Sequence, residues 1–220
     1  MALTKYNFNS FDLTTAASKG LAFNSDADGF ETSSAGSMTL IKTLTASSSS
    51  TLDFVNGSSS VVFDNTYPVY LFKFINMHPA TNNVDFSFQA DTGTNTSYNQ
   101  TMTTTAFYSE NSEASGGGGS GYSTGRDQAQ GTSFQQICDD IGNGNDEGCS
   151  GFLHIFNPAS STFVKHFISR MHGYHEGNYA QTWFHAGYFN TTTALTRVRF
   201  KFSSGNIDAG TIKLYGIKDS

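Results

Sequence analysis

The chain has 220 residues and a formal net charge of −6, and charged residues make up only 14% of it, against a typical share of about 25%. This acidic balance lacks the positive field that phosphate backbones require, so we expect no nucleic-acid partner. No segment approaches the roughly 20 apolar residues that span a bilayer, and the N-terminus has no apolar run behind a basic head. We therefore expect a chain made in the cytoplasm, with no membrane partner.

The composition favours strands over helices. The chain contains 20 Phe and 10 Tyr, which suit pleated, half-buried surfaces, and its many Ser, Thr, Asn and Gly residues supply turns and compete with helical hydrogen bonds. At this length one β domain can bury a core without disulfides or metals. We predict an N-terminal arm or anchoring segment over residues 1–36 and a single β domain over residues 37–220.

In chain order, the first predicted strands lie near residues 38–45, 51–55, 69–77 and 84–90. The strand at 69–77 is too apolar to have one exposed face and is typical of a central strand buried on both sides. The strand at 84–90 alternates strictly between apolar and polar residues, which predicts one core face and one face toward solvent or a partner.

The sequence over residues 91–132 predicts a long excursion, that is, a segment that leaves the sheet and contains one strand near residues 101–108. The Gly/Ser-rich tract at 116–121 is unable to form a packed element by itself. Two interpretations remain open: a mobile surface loop, or an arm that orders against a neighbouring subunit.

Residues 133–141 are the only stretch that predicts a short helix, because Phe134, Ile137 and Ile141 recur at helical spacing. Strands resume near residues 151–157, 162–172, 180–189, 195–202 and 211–217. About ten strands in one chain predict an all-β fold, specifically a jelly-roll-like β-sandwich.

An acidic loop over residues 139–147, which overlaps the end of the predicted helix, offers oxygen ligands for a hard cation. Asp139, Asp140, Asp146 and Glu147 are the candidate metal ligands, and Ca²⁺ is the ion that they suit. The loop does not match the EF-hand pattern, since His154 stands where the final Glu would be. A solvated, turn-rich loop is the alternative interpretation, and no other cofactor is expected.

An aromatic-rich segment contains the only tryptophan of the chain and also includes Phe184. Trp183, Tyr174, Tyr179 and Tyr188 are the candidate contact residues for a glycan or a protein partner, because exposed aromatic rings grip both kinds of surface. Core packing is the alternative for the same residues.

No motif for nucleophilic catalysis is present, so we expect no enzyme and no catalytic residues. The chain has no Gly-x-Ser-x-Gly elbow, although a glycosidase carboxylate pair is spaced in three dimensions and leaves no sequence signature. Cys138 and Cys149 lack the paired spacing of a zinc site. A disulfide between them and two reduced thiols both remain open, with reduced thiols favoured in a cytoplasmic product.

Five phrases of the sequence resemble a family of small virion structural proteins of marine tailed phages that infect cyanobacteria and pelagic α-proteobacteria. They span nearly the whole domain: STLDF at 50–54, VYLFKFINMHPAT at 69–81, DQAQGT at 127–132, AGYFN at 186–190 and SSGNIDAGTIKLYGI at 203–217. The resemblance is one of phrase and composition, and it brings no active-site residues with it. It implies a particle component whose partners are major capsid or tail proteins.

The expected function is therefore a non-enzymatic structural protein of the virion, either capsid decoration or a tail-associated component, assembled in the host cytoplasm. Many copies on one particle need self-complementary surfaces, which predicts a homo-oligomer. A trimer would fit a decoration protein or a fibre. The rival predictions are a receptor-binding module for host surface glycan and, third, a polysaccharide hydrolase.

Overall fold

The computed structural model describes residues 19–23, 26, 30–34, 37–114 and 116–218. The predicted arm over residues 1–36 lies outside the described residues, apart from two short strands. The chain divides into two compact units, Met1–Thr39 and Leu40–Ser220. Within the described part, no helix is both long and apolar enough to cross a membrane.

The described residues form fourteen β-strands and no helix, which confirms the all-β class. In chain order the strands are β1 (Lys19–Phe23), β2 (Phe30–Ser34), β3 (Met38–Thr45), β4 (Leu52–Val55), β5 (Val69–Pro79), β6 (Val84–Thr92), β7 (Met102–Ser112), β8 (Gly118–Tyr122), β9 (Gln135–Ile141), β10 (Cys149–Phe156), β11 (Lys165–His175), β12 (Tyr179–Phe189), β13 (Leu195–Phe202) and β14 (Ile207–Ile217).

The larger unit is a sandwich-like, antiparallel arrangement of two sheets. The large sheet has the order β3-β14-β5-β10-β11-β12-β7-β8, and the small sheet has the order β9-β6-β13-β4. One residue pair, His175 opposite Ile141, joins β11 to β9 and makes the two sheets continuous. The predicted central strand, β5, does lie between β14 and β10, although only its inner face is fully buried.

The core between the sheets is a cluster of phenylalanine rings. The Phe200 ring lies at its centre, with centroids 5.1–6.3 Å from five neighbouring rings. These neighbours are Phe54, Phe72, Phe74, Phe86 and Phe88. They converge because alternate residues of β4, β5, β6 and β13 point inward. The pairs of Phe200 with Phe54 and with Phe74 are edge-to-face, a geometry that stabilises a core beyond the area that it buries.

Residues 135–141 form strand β9, not the short helix that their spacing predicts. Ile137, Cys138 and Ile141 are all buried, a spacing that resembles a helix face and departs from the alternation of a regular strand. Asp140 has a φ of 45°, and the pairing of β9 with β6 shifts register along this strand. A β-bulge therefore interrupts the alternation that would have identified the strand.

The predicted excursion over residues 91–132 contains more regular structure than its composition suggests. β7 and β8 form an antiparallel hairpin inside it, and the glycine-rich β8 covers the edge of the large sheet. Because the glycines of β8 have no side chains to pack, backbone hydrogen bonds to β7 hold this strand in place. A Cβ on Gly118 would lie 2.9 Å from the carbonyl oxygen of Glu110, so the close approach of the two strands requires glycine there.

Candidate functional site

Trp183 lies in the core and does not belong to a contact surface, which corrects one of the predicted contact residues. It is 5% exposed, and its Nε1 donates a hydrogen bond of 2.7 Å to Oε1 of Gln181. Its ring stacks on His185, with centroids 5.6 Å apart. The reason is strand parity: the odd-numbered residues of β12 face inward, and Trp183 is one of them.

The three predicted tyrosines are half-buried and do not form one platform. Tyr174 and Tyr188 lie on the outer face of the large sheet, where Tyr188 pairs with His166 of β11. Eight residues of β11 separate His166 from Tyr174, which is about 26 Å at 3.3 Å per residue. Tyr179 packs its ring against His175 at the end of the same hairpin.

An aromatic row crosses the outer face of the large sheet, with one residue from each of β10, β11, β12, β7 and β8. Phe152 lies opposite Arg170, Arg170 opposite Phe184, Phe184 opposite Phe107 and Phe107 opposite Tyr122. Phe107 is 50% exposed and Phe184 is 43% exposed. The guanidinium of Arg170 lies over the ring of Phe184, 5.1 Å from its centroid.

Three adjoining depressions run along β11 on this face, with volumes of about 310, 340 and 500 Å³. We call them together the outer groove. The depressions are direct neighbours, because consecutive ones share lining residues. The first two share Phe152 and Arg170, and the second and third share Thr105, Ile168 and Ala186.

A fourth depression of about 700 Å³ adjoins the outer groove through Ser150 and His172, and we call it the polar cleft. Its walls include the predicted metal ligands Asp146 and Glu147, together with Asp208. Its described lining residues include three carboxylates and neither Lys nor Arg. The cleft therefore offers hydrogen-bond acceptors and a negative potential at one end of the outer groove.

His78 ties the wall of the polar cleft together. Its Nε2 lies 3.0 Å from the carbonyl oxygen of Gly144, and its Nδ1 lies 3.8 Å from Oδ2 of Asp208. The Gly144 N–H in turn donates a hydrogen bond to the carboxylate of Glu147. These contacts fix the 142–148 loop as one side of the cleft.

The four predicted metal ligands fall into two places. Asp139 and Asp140 lie with Asp85, with one carboxylate oxygen of each within 4.8 Å of the others, whereas Asp146 and Glu147 line the polar cleft. The four residues therefore do not form one site.

Protein groups already contact the carboxylates around Asp85. Asp85 accepts hydrogen bonds from Gln136 Nε2 and from the Asp140 N–H. Asp139 pairs with Arg126 at 2.5 Å. Burial, and then a hydrogen bond with Asp85, raise the pKa of Asp139 to about 7 despite the opposing effect of Arg126. The calcium prediction stays a prediction.

Cys138 and Cys149 are free, buried thiols. The Cys138 thiol is fully enclosed and hydrogen-bonds to Cys149, and its burial raises its pKa well above the usual value. Because the thiolate is the reactive species, burial makes Cys138 a poor nucleophile in the folded chain.

Comparisons of this chain with protein-family models, with curated proteins and with solved structures gave no match.

Sequence reasoning named Phe184 only as part of the aromatic-rich segment, and it missed Phe152, Arg170 and Phe107 as surface residues. A usable signal was present in β11, where His166, Ile168, Arg170 and His172 alternate with buried residues. That alternation identifies an outer face, and antiparallel pairing then places the aromatic residues of β10 and β12 beside it. The identity of the paired strands is the information that the sequence alone did not provide.

Proposed function

We propose that this chain is a non-enzymatic structural component of a tailed-phage particle, attached to a major capsid or tail protein by its N-terminal unit. The β-sandwich is the displayed body, present in many copies and forming a homo-oligomer. Support comes from the resemblance of its phrases to virion structural proteins and from the apolar surface of the N-terminal unit.

The observation that carries this proposal is the hairpin of β1 and β2. Its strands pair along five residues each, and its Phe23 and Phe30 rings stack with centroids 4.9 Å apart. Leu21 is nevertheless 58% exposed and Phe23 is 68% exposed. A two-stranded hairpin is only marginally stable alone in water and needs packing against other structure.

A protein partner that covers this hairpin would stabilise it. Complete burial of a Leu or Phe side chain contributes roughly 1.5–3 kcal/mol, so a few such contacts repeated in every subunit hold a component on a particle. The body does not need such a partner in order to fold, because its core is already buried between its own sheets. The N-terminal unit is therefore the anchor.

The test is incorporation of the full chain carrying Leu21→Ser and Phe23→Ser into phage particles, measured by mass spectrometry of purified virions. We expect at least about a tenfold loss of copies per particle, since tenfold corresponds to 1.4 kcal/mol of lost contact. Phe163→Ser is the matched control, because Phe163 is an exposed phenylalanine of the body.

Two results contradict the proposal. One is the absence of the unmodified chain from purified particles. The other is incorporation of the double variant at the level of the unmodified chain. A thermal unfolding midpoint unchanged from the parent protein will show that the body remains folded in the variant.

A further inference from the structure

We infer that the outer groove binds an extended, neutral glycan chain, whose end enters the polar cleft. This inference goes beyond the anchoring role proposed above and does not rest on it, because the groove belongs to the body. It rests on the shape of the groove, on its side chains and on the pairing of its backbone.

The groove has the length and the walls of a site for a chain ligand. It follows β11 from His172 to His166, which is about 20 Å at 3.3 Å per residue. Phe152 of β10 lines one side, and Phe184 and Tyr188 of β12 line the other. Aromatic faces carry negative charge density, which attracts the polarised C–H bonds on the face of a pyranose ring. Arg170 lies over one face of the Phe184 ring, and Phe184 is still 43% exposed, so its ring keeps surface for such a contact.

The polar cleft supplies the complementary chemistry at one end. Carboxylates, such as those of Asp146 and Asp208, accept hydrogen bonds from hydroxyl groups. The side chains of Asn76, Asn145 and Ser150 also line the cleft and are able both to donate and to accept. A depression of about 700 Å³ falls within the range of about 300–1,000 Å³ that holds small ligands.

The distribution of charge favours a neutral chain over a charged polymer. Arg170 lies in the middle of the groove, and carboxylates lie at the cleft end. A polyanion would be repelled at the cleft, and a polycation would be repelled at Arg170 and at Lys73, which lies opposite Phe152 beside the groove. A neutral polyhydroxyl chain meets neither penalty.

An extended peptide is a poorer fit, because the groove runs over a central strand. β11 is paired with β10 on one side along seven residue pairs and with β12 on the other along eleven. Its backbone N–H and C=O groups are therefore engaged, whereas peptides that bind as added strands use the free groups of a sheet edge.

A second copy of the chain is also a poorer fit for this face. At its β10 end the aromatic row is followed by two cations: Lys73 lies opposite Phe152, and Lys213 lies opposite Lys73. Together with Arg170, they place three positive charges along this line. A two-fold pair centred on the groove would bring the Arg170 of each copy toward the other, and like charges facing each other are unfavourable.

The experiment is affinity electrophoresis of the full chain in gels that contain one soluble polysaccharide each. The neutral probes are laminarin, hydroxyethylcellulose, galactomannan and dextran, and the charged probes are alginate and chitosan. We expect at least one neutral probe to retard the parent protein. Phe184→Ala and Tyr188→Ala should each weaken that retardation by about tenfold or more in affinity, the effect of losing one aromatic contact.

Phe163→Ala is the matched control and should bind like the parent, since Phe163 is 71% exposed and lines none of the three depressions of the groove. Circular dichroism and the thermal midpoint verify that each variant is folded. Release of reducing ends is measured in parallel, because hydrolysis of the retarding probe would make the groove an active site and overturn a pure binding role.

Three other outcomes overturn the inference. The first is that no neutral probe retards the parent, and the second is that both groove variants bind as the parent does. The third is that light scattering finds an oligomer that Phe184→Ala dissociates, which would make the groove an interface between copies. Because the assay uses purified protein without particles, its failure leaves the anchoring proposal untouched, and the incorporation test does not bear on the groove.

Discussion

The outer faces of the two sheets differ in how they are covered. On the small sheet, the outward residues Gln89 and Asp91 of β6 are fully buried beneath loops. Gln89 donates hydrogen bonds to three backbone carbonyls in those loops, and Asp91 accepts from the Tyr98 N–H and from Gln100. On the large sheet, aromatic side chains of the outer face are exposed to solvent.

The difference shows what the 91–132 segment does for the body. Residues 93–100 supply Tyr98, whose ring lies 4.0 Å from the guanidinium of Arg199 on the small sheet. The loop after β8 supplies Arg126, whose backbone carbonyl accepts from Gln135. The outer face of the small sheet is thus closed by the chain itself, while the outer face of the large sheet is left uncovered. Exposed apolar patches on otherwise well-covered proteins mark binding surfaces.

The largest expected effect distinguishes the two faces of one strand. Trp183→Ala should destabilise the body by about 3–5 kcal/mol, because it opens a cavity in the core. Phe184→Ala, one residue further along β12, should change stability by less than about 1 kcal/mol, as expected for an exposed position. Urea unfolding followed by circular dichroism measures both. Equal losses in the two variants would contradict the assignment of the two faces.

The second expected effect tests whether the loops that cover the outer face of the small sheet stabilise the fold. Asp91→Ala should cost about 2–4 kcal/mol, because it leaves several buried donors without their charged acceptor. Asp208→Ala, at an exposed carboxylate in the polar cleft, is the matched control and should cost less than about 0.5 kcal/mol. Urea unfolding of the two variants makes the comparison. A loss at Asp91 as small as that at Asp208 would show that the cover contributes little.

The third effect concerns pH. Burial first, and then the charge of Arg126, lower the pKa of His185 to about 3. The unfolded chain takes up this proton near the ordinary pKa of 6.5 and the folded chain does not, so this histidine destabilises the fold as pH falls from about 6.5 toward 3.

The matching measurement is urea unfolding at pH 7.5 and at pH 5.0 for the parent and for His185→Leu. The parent should lose about 2 kcal/mol more than the variant on acidification, at 1.36 kcal/mol per pH unit below 6.5. Groups that titrate in both proteins, such as Asp139, cancel in the difference. Identical acid sensitivity would show that His185 is protonated in the fold.

The smallest expected effect tests one contact between the small sheet and the loops that cover its outer face. The Lys201 ammonium lies over the ring of Phe134, 4.6 Å from its centroid. Lys201→Met should cost about 0.5–1 kcal/mol, the usual size of a partly exposed cation–π contact. A double-mutant cycle with Phe134→Leu isolates the pair, and a coupling energy of zero would remove this contact from the cover.

Much of the fold could be predicted, because most strands alternate in polarity. β6 and β13 show this pattern directly, and their inner phenylalanines meet in the core. β9 was predicted as a helix because the bulge at Asp140 breaks its alternation. β8 was missed because glycine carries no pattern, so only the pairing with β7 shows that it is a strand.

The candidate site was less predictable. Trp183 and Phe184 are adjacent aromatic residues, so polarity could not indicate which of them faces the core. The groove also combines residues from β10, β11 and β12, and the relevant neighbours become clear only from the register of these strands. A sequence predicts which residues share a strand face more readily than which strands share a sheet.

The most direct test of the proposed arrangement is cryo-electron microscopy of virions that carry this chain, with the structure fitted to the density. We predict that the N-terminal unit lies against a capsid or tail protein and that the outer groove, with Phe184, faces solvent. A groove buried against the particle, with the β1–β2 hairpin facing solvent, would contradict both the anchor and the glycan site.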